Sequence, residues 1–248
     1  MRVVCVIPSR YESSRFPGKP LADLCGKPMI QHVYERVLRA KTVTEAAVAT
    51  DDRRIFDAVE KFGGRAIMTA GRHRSGTDRI AEAATVLNLD ENDIVVNIQG
   101  DQPIFEPAQV DEVVAPLLAD ASIPMSTLIY RIVREEEITH PNAVKTVFDK
   151  DHFALYFSRS TIPYDRDGVY EVNYYKHHGI YAYRRHFLDT FSRLPQGILE
   201  KLEALEQLRA LEHGYRIKVV ETAHDSVEVY TPAELTRVKE IILGSGAA

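Results

Sequence analysis

Short apolar runs alternate with amphipathic stretches through the first half of the chain. The apolar runs predict strands at residues 3–8, 46–50, 65–69 and 93–98, and the amphipathic stretches predict helices at 28–40, 53–62 and 77–87. This alternation is typical of βαβ units that build a parallel sheet. The run at 94–98 is almost entirely apolar, as expected for a strand that is buried on both faces.

The middle of the chain, about residues 123–185, has a different texture. Runs rich in β-branched and aromatic residues at 125–132, 143–148 and 177–183 predict an antiparallel excursion of the same domain rather than a second domain. A helix at 199–213, a strand at 216–221 and a last helix that Thr231 and Glu234 open as a capping box follow. We therefore predict a single α/β domain over residues 1–248 with a Rossmann-like, mostly parallel sheet.

The distribution of charge narrows the classes of partner. The chain has 36 acidic and 31 basic residues and a net charge of −5, which argues against nucleic acid or a membrane surface as a partner. The first 30 residues reverse this balance, because they contain only two acidic side chains beside the basic Arg2, Arg10, Arg15, Lys19 and Lys27. We therefore expect a local basic site near the N-terminus.

The cysteine content and the length of the apolar runs bear on location. Cys5 and Cys25 provide no disulfide framework, which fits a reducing compartment, and Cys5 lies in a predicted buried strand. No apolar run approaches the roughly 20 residues of a membrane-spanning helix. We expect a cytoplasmic protein with no membrane segment.

A basic, glycine-containing loop follows the first predicted strand, at residues 9–20. Ligands of open α/β sheets bind at the carboxyl ends of the strands. Arg10, Arg15 and Lys19 on this loop provide guanidinium forks and an ammonium that suit a polyphosphate. The loop is not a Walker motif, since Pro20 follows the lysine. Composition alone is equally compatible with a solvated basic loop.

Two further segments follow predicted strands. Asp101 comes after the strand at 93–98 and is suited to Mg²⁺, although such an aspartate is as often a turn residue. Ser75, Gly76 and Thr77 open a helix whose first N–H groups are suited to an anion or a base edge, although a plain N-cap has the same pattern.

Several ordered blocks resemble the sugar-acid cytidylyltransferases, and most closely the 3-deoxy-manno-octulosonate (Kdo) cytidylyltransferase family. The blocks lie at residues 7–10, 15–21, 26–30, 73–79, 99–101, 141–145, 155–159, 162–167, 177–181 and 205–209. They cover nearly the whole chain.

The resemblance implies a nucleotide-diphospho-sugar transferase fold and transfer of CMP from CTP to the anomeric hydroxyl of Kdo for lipopolysaccharide synthesis. It implies nucleotide-binding roles for Arg10, Ser14, Arg15, Lys19, Ser75, Gly76, Thr77 and Arg79, and catalytic roles for Arg10, Lys19 and Asp101. Asp101 would bind Mg²⁺. The sugar acid would be surrounded by Gln99, Arg159, Arg166, His177, Tyr181, Glu206 and Gln207. The β-rich excursion would form a homodimer contact.

Two residues of the site that the resemblance implies allow a purely structural interpretation as well. His177 lies in an apolar strand and is compatible with a hydrogen-bonded structural histidine. Glu206 shares its predicted helix with further acids, which usually form a solvated face.

The chain departs from the family pattern at the second metal ligand. Tyr230 stands where the family usually has an aspartate, and a phenol is a poor Mg²⁺ ligand at neutral pH. Glu228, which would share a strand face with position 230, is the first candidate to replace that aspartate, and Asp225 is the second.

A second departure concerns the acceptor. Gly197 and Ile198 replace a usual Ser-Pro, and Gln102 replaces a usual Glu. These changes leave room for 8-amino-3,8-dideoxy-manno-octulosonate as the acceptor. A sialic-acid-type cytidylyltransferase and a degenerate CTP-binding protein are more remote alternatives.

Overall fold

The computed structural model of the chain describes residues 1–13, 16–73, 75–229 and 231–244. The strands are β1 (Val3–Ser9), β2 (Asp23–Leu24), β3 (Lys27–Pro28), β4 (Glu45–Thr50), β5 (Ala66–Met68), β6 (Ile94–Asn97), β7 (Met125–Arg131), β8 (Lys145–Phe148), β9 (Ala154–Ser158), β10 (Tyr175–Arg184) and β11 (Lys218–Glu221). The α-helices are α1 (Met29–Val37), α2 (Arg53–Lys61), α3 (Gly76–Val86), α4 (Ala108–Ala119), α5 (Glu136–Thr139), α6 (Arg185–Arg193), α7 (Ile198–Glu203), α8 (Leu208–Glu212) and α9 (Pro232–Gly244). Each strand and helix predicted for the first half of the chain is present.

The main sheet has the strand order β11-β7-β10-β6-β1-β4-β5. Strand β1 pairs in parallel with β4 and β6, and β4 pairs in parallel with β5, so the predicted parallel part is confirmed. Because these strands run in one direction, the loops after β1 and β6 leave the sheet at the same edge. Ser9 and Gln99 are thereby brought to one site.

The β-rich middle joins the same sheet in antiparallel fashion, as predicted. Strand β10 pairs antiparallel with β6, β7 and β8, and β8 pairs antiparallel with β9. The pairing of β10 with β7 shifts register between His178 and Tyr181. This irregularity changes how the side chains of β10 are presented beside the end of β6.

Alternate residues of β1 pack on opposite faces of the sheet. Val4 and Val6 belong to one apolar core and Cys5 and Ile7 belong to the other, and all four are fully buried. Burial also raises the pKa of the Cys5 thiol, so Cys5 is an inert core residue, as its sequence context indicates.

The prediction of one helix over 199–213 is wrong. The chain reverses locally at Ala204, whose φ of 50° and ψ of 49° lie in the left-handed region, and α7 and α8 are separate helices. Arg159 donates to the carbonyl oxygens of Glu203 and Ala204, so the end of α7 is stabilised by a side chain from β9 and the following loop. The helices α4 and α6 were not predicted from the sequence.

A small third core ties the C-terminal helix to the site region. Val238 and Ile242 of α9 pack with Leu24, Met29 and Val229. Within the described part of the chain, no helix is long and apolar enough to cross a membrane.

Candidate active site

A cavity of about 230 Å³, called cavity A below, lies at the carboxyl ends of β1 and β6. Its lining includes Ser9, Arg10, Lys19, Gly76, Gln99 and Asp101. The sheet topology brings these residues together from three separate segments: the loop after β1, the turn before α3 and the loop after β6. Gly100 permits the close approach of the loops after β1 and β6, because a Cβ there would lie 2.4 Å from the Oγ of Ser9.

The loop after β1 folds so that it delivers two cations to cavity A. The N–H of Gly18 donates to the Tyr11 carbonyl at 2.8 Å, and the φ of 71° at Gly18 requires a residue that tolerates the left-handed region. A short 3₁₀ helix then carries Lys19. At the other end of the loop, Nη2 of Arg10 donates to the carbonyl of His73 at 2.6 Å, which links the loop to the turn before α3.

Lys19 and Asp101 face each other across cavity A. The Lys19 ammonium forms an ion pair with Oδ2 of Asp101 and donates to the Val229 carbonyl at 2.9 Å. The N–H of Val229 in turn donates to the Asp101 carbonyl at 2.9 Å. A cation and a carboxylate are therefore held at the opening of a pocket that an anionic ligand would fill.

The turn before α3 has the N-cap geometry that its sequence predicts. The Oγ of Ser75 accepts from the N–H of Asp78 at 3.1 Å, and Gly76 lines cavity A. Thr77 is 1% exposed and donates to Oε2 of Glu206 at 2.6 Å. This hydrogen bond connects the turn before α3 to the residue that precedes Gln207.

The other predicted nucleotide-binding residues differ in placement. Arg79 is fully buried, and its Nη2 pairs with Asp51 at 3.0 Å, so its guanidinium holds the end of β4. Ser14 and Arg15 lie outside the described residues.

A second cavity, cavity B, adjoins the turn before α3 and has a volume of about 260 Å³. Ser75, Glu206 and Arg209 are among its lining residues. Burial raises the pKa of Glu206, although hydrogen bonds from Ser75 and Thr77 oppose that shift. Arg209 is locked in a buried pair with Glu200, at 2.6 and 2.8 Å. Gln207, which precedes α8, is 3% exposed, and its Nε2 has no hydrogen-bond partner among the described residues.

A third cavity, cavity C, has a volume of about 400 Å³ and includes Lys176, His177, Asp225 and Glu228 in its lining. Burial lowers the pKa of His177 to about 3, and its neighbour His178 adds to the effect, so the imidazole is neutral at pH 7. Its Nε2 lies 3.0 Å from the Thr127 hydroxyl. A neutral imidazole has one donor and one acceptor nitrogen, so it can form a hydrogen bond of either kind with a ligand hydroxyl.

Tyr181 lies near Glu206, which lines cavity B, and near Glu228, which lines cavity C. Burial raises the pKa of its phenol well above the ordinary value, and the negative charges of Glu206 and Glu228 contribute in the same direction. Tyr181 and His177 have ring centroids 5.3 Å apart. Together, Tyr181, His177, Glu206 and Glu228 therefore form one neighbourhood.

Glu228 is a carboxylate close to Asp101. Burial and, to a smaller extent, the negative charge of Asp101 raise the pKa of Glu228 to about 8, although Lys19 opposes the shift. The Nε2 of Gln102 lies 3.4 Å from Oε1 of Glu228. Gln102 is fully buried. A neutral amide therefore faces Glu228 at this position, where the usual Glu of the family would place a second acid.

Two predicted sugar-binding arginines lie apart from this neighbourhood. Arg159 donates to the carbonyl oxygens of Pro141, Glu203 and Ala204 with its three guanidinium nitrogens. Arg166 has a side chain that is 85% exposed and pairs with the adjacent Asp167 at 3.0 Å. The described structure of one chain brings neither guanidinium into cavities A, B or C.

Sequence reasoning missed several polar residues that support the site. Asn97, Thr127, Lys176 and Tyr183 all lie on strands and are each at most 8% exposed. Asn97 gave a signal, because it is the one polar residue in the apolar run at 94–98. The others gave none, since their partners are distant in sequence.

A basic pocket at the carboxyl ends of parallel strands, with a carboxylate opposite the lysine, defines the fold and site of a nucleotidyltransferase. The cytidylyltransferase family model matches residues 4–218, and this chain belongs to that family.

Curated relatives narrow the comparison. The chain is 73% identical over 98% of its length, and 98% of the relative's, to 3-deoxy-manno-octulosonate cytidylyltransferase of Syntrophus aciditrophicus (strain SB). It is 54% identical over 95% of its length, and 96% of the relative's, to 8-amino-3,8-dideoxy-manno-octulosonate cytidylyltransferase of Shewanella piezotolerans (strain WP3 / JCM 13877).

A solved structure agrees with these relatives. A CMP:2-keto-3-deoxy-manno-octonic acid synthetase in complex with CTP superposes with a TM-score of 0.93 and 46% identity, over 99% of this chain and all of that one (100%). A 4-diphosphocytidyl-2C-methyl-D-erythritol synthase, at 11% identity and a TM-score of 0.65, over 97% of this chain and 99% of that one, shares the fold.

Proposed function

We propose that this protein transfers CMP from CTP to the anomeric hydroxyl of 3-deoxy-manno-octulosonate, releasing pyrophosphate, for lipopolysaccharide synthesis. The observation that carries the proposal is the convergence of Arg10, Lys19 and Asp101 on cavity A. The 73% identity to a relative named for this reaction supports the choice of acceptor.

The chemistry is an in-line attack of the anomeric oxygen on the α-phosphorus of CTP. A bond forms between that oxygen and phosphorus, and the bond to the bridging oxygen breaks as pyrophosphate leaves. Such transfers depend on positioning and on stabilising the charge of the phosphoryl oxygens. Arg10 and Lys19 lie where they can neutralise the triphosphate and the leaving pyrophosphate.

The donor set around Asp101 fits Mg²⁺. Among the described residues no three His, Cys, Asp or Glu side chains form a metal cluster, but Mg²⁺ that binds nucleotides typically uses only one or two protein carboxylates with phosphates and water. Asp101 would hold the ion, and Glu228 is the neighbouring carboxylate. Bound Mg²⁺ would supply positive charge to the phosphate oxygens. Tyr230 and its replacement of the usual aspartate lie outside the described residues.

For the acceptor, the proposal places the sugar acid between cavities B and C. His177 of cavity C, Glu206 of cavity B and the neighbouring Tyr181 are its candidate contacts there, while Gln99 lines cavity A and Gln207 precedes α8. Arg159 and Arg166 are not required by this placement within one chain.

The experiment is a pyrophosphate-release assay with CTP and Mg²⁺. Release that requires 3-deoxy-manno-octulosonate is expected, with little release from CTP alone or with N-acetylneuraminate. No release with any sugar acid, despite CTP binding, would identify a degenerate CTP-binding protein and contradict the proposal.

The second candidate acceptor is 8-amino-3,8-dideoxy-manno-octulosonate. Glu228 favours it, because its carboxylate lies near Tyr181 and makes no ion pair with a basic side chain in the described structure. An ammonium on the acceptor would provide that partner. Competition of the two sugar acids at equal concentration decides between them, and a preference for the unmodified sugar rules out the amino sugar as the main acceptor.

We also propose a cytoplasmic homodimer. Tyr164, Val169 and Tyr170 on the loop near Arg166 are each more than 70% exposed, as expected for a surface that a second copy covers. The two cysteines are free, which fits a reducing compartment. Light scattering coupled to size exclusion should give twice the mass of one chain, and Tyr164→Ser with Tyr170→Ser should shift it toward the monomer.

A further inference from the structure

Glu82 of α3 holds the turn that precedes this helix. Its Oε2 accepts from the backbone N–H of Ala70 at 3.0 Å. The same oxygen forms a hydrogen-bonded pair with Nε2 of His73. One carboxylate oxygen therefore fixes two points of the turn, which lie 12 and 9 positions earlier in the chain.

A second side chain of α3 anchors the start of the same turn. Arg79 precedes Glu82 by three positions, so both side chains project from the same side of the helix. The Arg79 guanidinium donates to the Thr69 hydroxyl and pairs with Asp51 at 3.0 Å. The N–H of Thr69 also donates to the Thr50 carbonyl at 2.8 Å. The start of the turn is thus tied to the end of β4, and Glu82 ties its later part to α3.

The carbonyl groups of this turn orient the guanidinium of Arg10. Nη2 of Arg10 donates to the carbonyl of His73 at 2.6 Å and to that of Ser75 at 3.3 Å. The turn thereby uses both hydrogens of Nη2 and fixes the plane of the guanidinium. A guanidinium has three further N–H groups, on Nη1 and Nε, which suit phosphate oxygens. Arg10 lines cavity A, whereas Glu82 is not among the described residues that line it.

The hydrogen bond between Glu82 and His73 has a defined direction. Burial by itself would raise the pKa of Glu82, but the hydrogen bonds from His73 and Ala70, with the nearby charge of Arg79, outweigh it and hold the pKa below its ordinary value. Glu82 is therefore ionised at neutral pH and can only accept, so Nε2 of His73 carries a hydrogen and donates it. This holds for the neutral and the protonated imidazole alike, because only the Nε2 hydrogen is required.

We propose that Glu82 is a positioning residue: through His73 it holds the turn whose carbonyl groups orient Arg10 toward a phosphate of the nucleotide in cavity A. Glu82 does not touch the nucleotide in this role. It acts by keeping the His73 carbonyl in place, because the imidazole that it binds and the carbonyl that Arg10 binds belong to one residue. The inference rests on the proposed function only in assigning the triphosphate of CTP to cavity A.

Loss of the Glu82 carboxylate has a defined consequence. The Ala70 N–H and the His73 imidazole lose their common acceptor, and the segment between them is no longer tied to α3. The His73 carbonyl can then move, and Arg10 loses the shorter of its two hydrogen bonds to the turn. A guanidinium that the ligand must reorient binds that ligand more weakly than one that is held in place beforehand.

The first test measures the Kd for CTP by calorimetry with Mg²⁺ present, and the KM for 3-deoxy-manno-octulosonate by pyrophosphate release at saturating CTP. Glu82→Met removes the acceptor at nearly constant volume and should raise the Kd for CTP about tenfold, the loss expected for one misaligned hydrogen bond to a charged group. The KM for the sugar acid should change less than about twofold, because the two effects are independent when the sugar acid does not contact Arg10.

Glu35→Met is the matched control. Glu35 of α1 has a side chain that is 34% exposed, against 35% for Glu82, and it accepts from the Lys27 ammonium at 2.8 Å. The control should leave the Kd for CTP within about twofold of the wild type, because it removes a carboxylate of similar exposure that does not hold the turn. Melting temperatures of both variants are recorded.

The second test asks whether the acceptor oxygen is what matters. Glu82→Gln keeps one side-chain oxygen that can accept from both Ala70 and His73, as Oε2 does in the wild type. This variant should keep the Kd for CTP within about threefold of the wild type, since the hydrogen bonds are weakened but not lost. A loss as large as that of Glu82→Met would contradict the hydrogen-bonding role.

The third test asks whether Glu82 acts through Arg10. In an Arg10→Met background, Glu82→Met should change kcat/KM for CTP less than about twofold, because there is no guanidinium left to orient. In the wild-type background, His73→Leu should raise the Kd for CTP about threefold or more, since it removes one of the two ties to Glu82. The single His73 variant also tests the inference should either of the other variants fail to fold.

Four results would overturn the inference: an unchanged Kd for CTP in Glu82→Met or in His73→Leu, an equal loss in Glu35→Met, an equal rise in the KM for the sugar acid, or a full tenfold loss in the Arg10→Met background. A wild-type protein that binds no CTP would instead contradict the proposed function. The two failures are therefore distinguishable.

Discussion

The ammonium of Lys19 pairs with the carboxylate of Asp101, although the two residues are 82 positions apart in the sequence. The pair forms because the loops after β1 and β6 leave the sheet at the same edge. It gives cavity A both the cation that a triphosphate needs and the carboxylate that a metal needs.

We expect Lys19→Met to lower kcat/KM for CTP by about 100-fold or more, because one preorganised cation would be removed from the phosphate site. Lys150→Met is the control, since Lys150 is 87% exposed and far from the site in sequence and fold. Initial rates of pyrophosphate release measure both. Equal activity of Lys19→Met and the control would show that the triphosphate does not bind at this lysine.

Glu228 should make the ligand-free protein less stable as the pH rises. Its pKa in the folded protein is about 8, against an ordinary value of 4.5, chiefly because of burial. The folded state therefore holds an extra proton between these two values, so stability is fully present below about pH 4.5 and is lost as the pH rises toward 8.

Glu228→Gln removes this dependence. At pH 8 the variant should be more stable than the wild type by about 1–3 kcal/mol, or several degrees in Tm, and the difference should shrink toward pH 5. Melting curves in EDTA at both pH values measure it, with the exposed Glu240→Gln as control. Parallel pH profiles of wild type and Glu228→Gln would show that Glu228 is ionised at no cost in the folded protein.

A partly buried ion cluster anchors the segment that carries Val229. Lys176 donates to Glu137 at 2.8 Å and to Asp225 at 2.9 Å, and His178 lies 3.2 Å from Asp225. Burial by itself would raise the pKa of Asp225, but these partners outweigh it and hold the pKa far below its ordinary value.

Lys176→Met should therefore destabilise the protein by about 1–3 kcal/mol, because Asp225 loses its lysine partner and Glu137 keeps only Arg134. Urea unfolding at pH 7 measures the loss, and Lys176→Arg should recover part of it. The contribution of Asp225 is present above its ordinary pKa of 3.8 and is lost as the pH falls through its folded value, so Asp225→Asn should flatten the acid limb of the stability curve. A wild-type acid limb in Asp225→Asn would contradict this account.

Substitution of Arg159 distinguishes a structural role of this residue from a ligand-binding role. Because its guanidinium donates to three backbone carbonyls, Arg159→Met should lower the unfolding free energy by about 1–3 kcal/mol while the KM for the sugar acid changes less than twofold. Steady-state kinetics at a temperature well below both melting points is the measurement. A tenfold rise in that KM with unchanged stability would support the sugar-binding role that the family resemblance implies.

The parallel core could be predicted because it is encoded locally. Strand β1 is seven consecutive buried residues, and its amphipathic neighbours have clear helical periodicity. The topology rule for open α/β sheets then predicts Arg10, Lys19 and Asp101 at one edge of the sheet. The antiparallel middle was predicted for the same reason, from its runs of β-branched and aromatic residues.

The break at Ala204 could not be predicted in this way. Residues 199–213 have good helical composition, and the left-handed turn depends on Arg159, a residue about 45 positions earlier that caps the freed carbonyls. Tertiary hydrogen bonds outweighed local propensity there.

The sequence by itself determined the strands and helices of the parallel half, the basic loop and the family resemblance, since each depends on residues close together in the chain. Only the tertiary structure decided that Arg79 is a buried partner of Asp51, that Glu228 lies beside Asp101, and that Thr77 donates to Glu206. Those roles depend on which distant side chains share a buried space. Burial also sets the pKa values and hydrogen-bond directions that a linear sequence does not display.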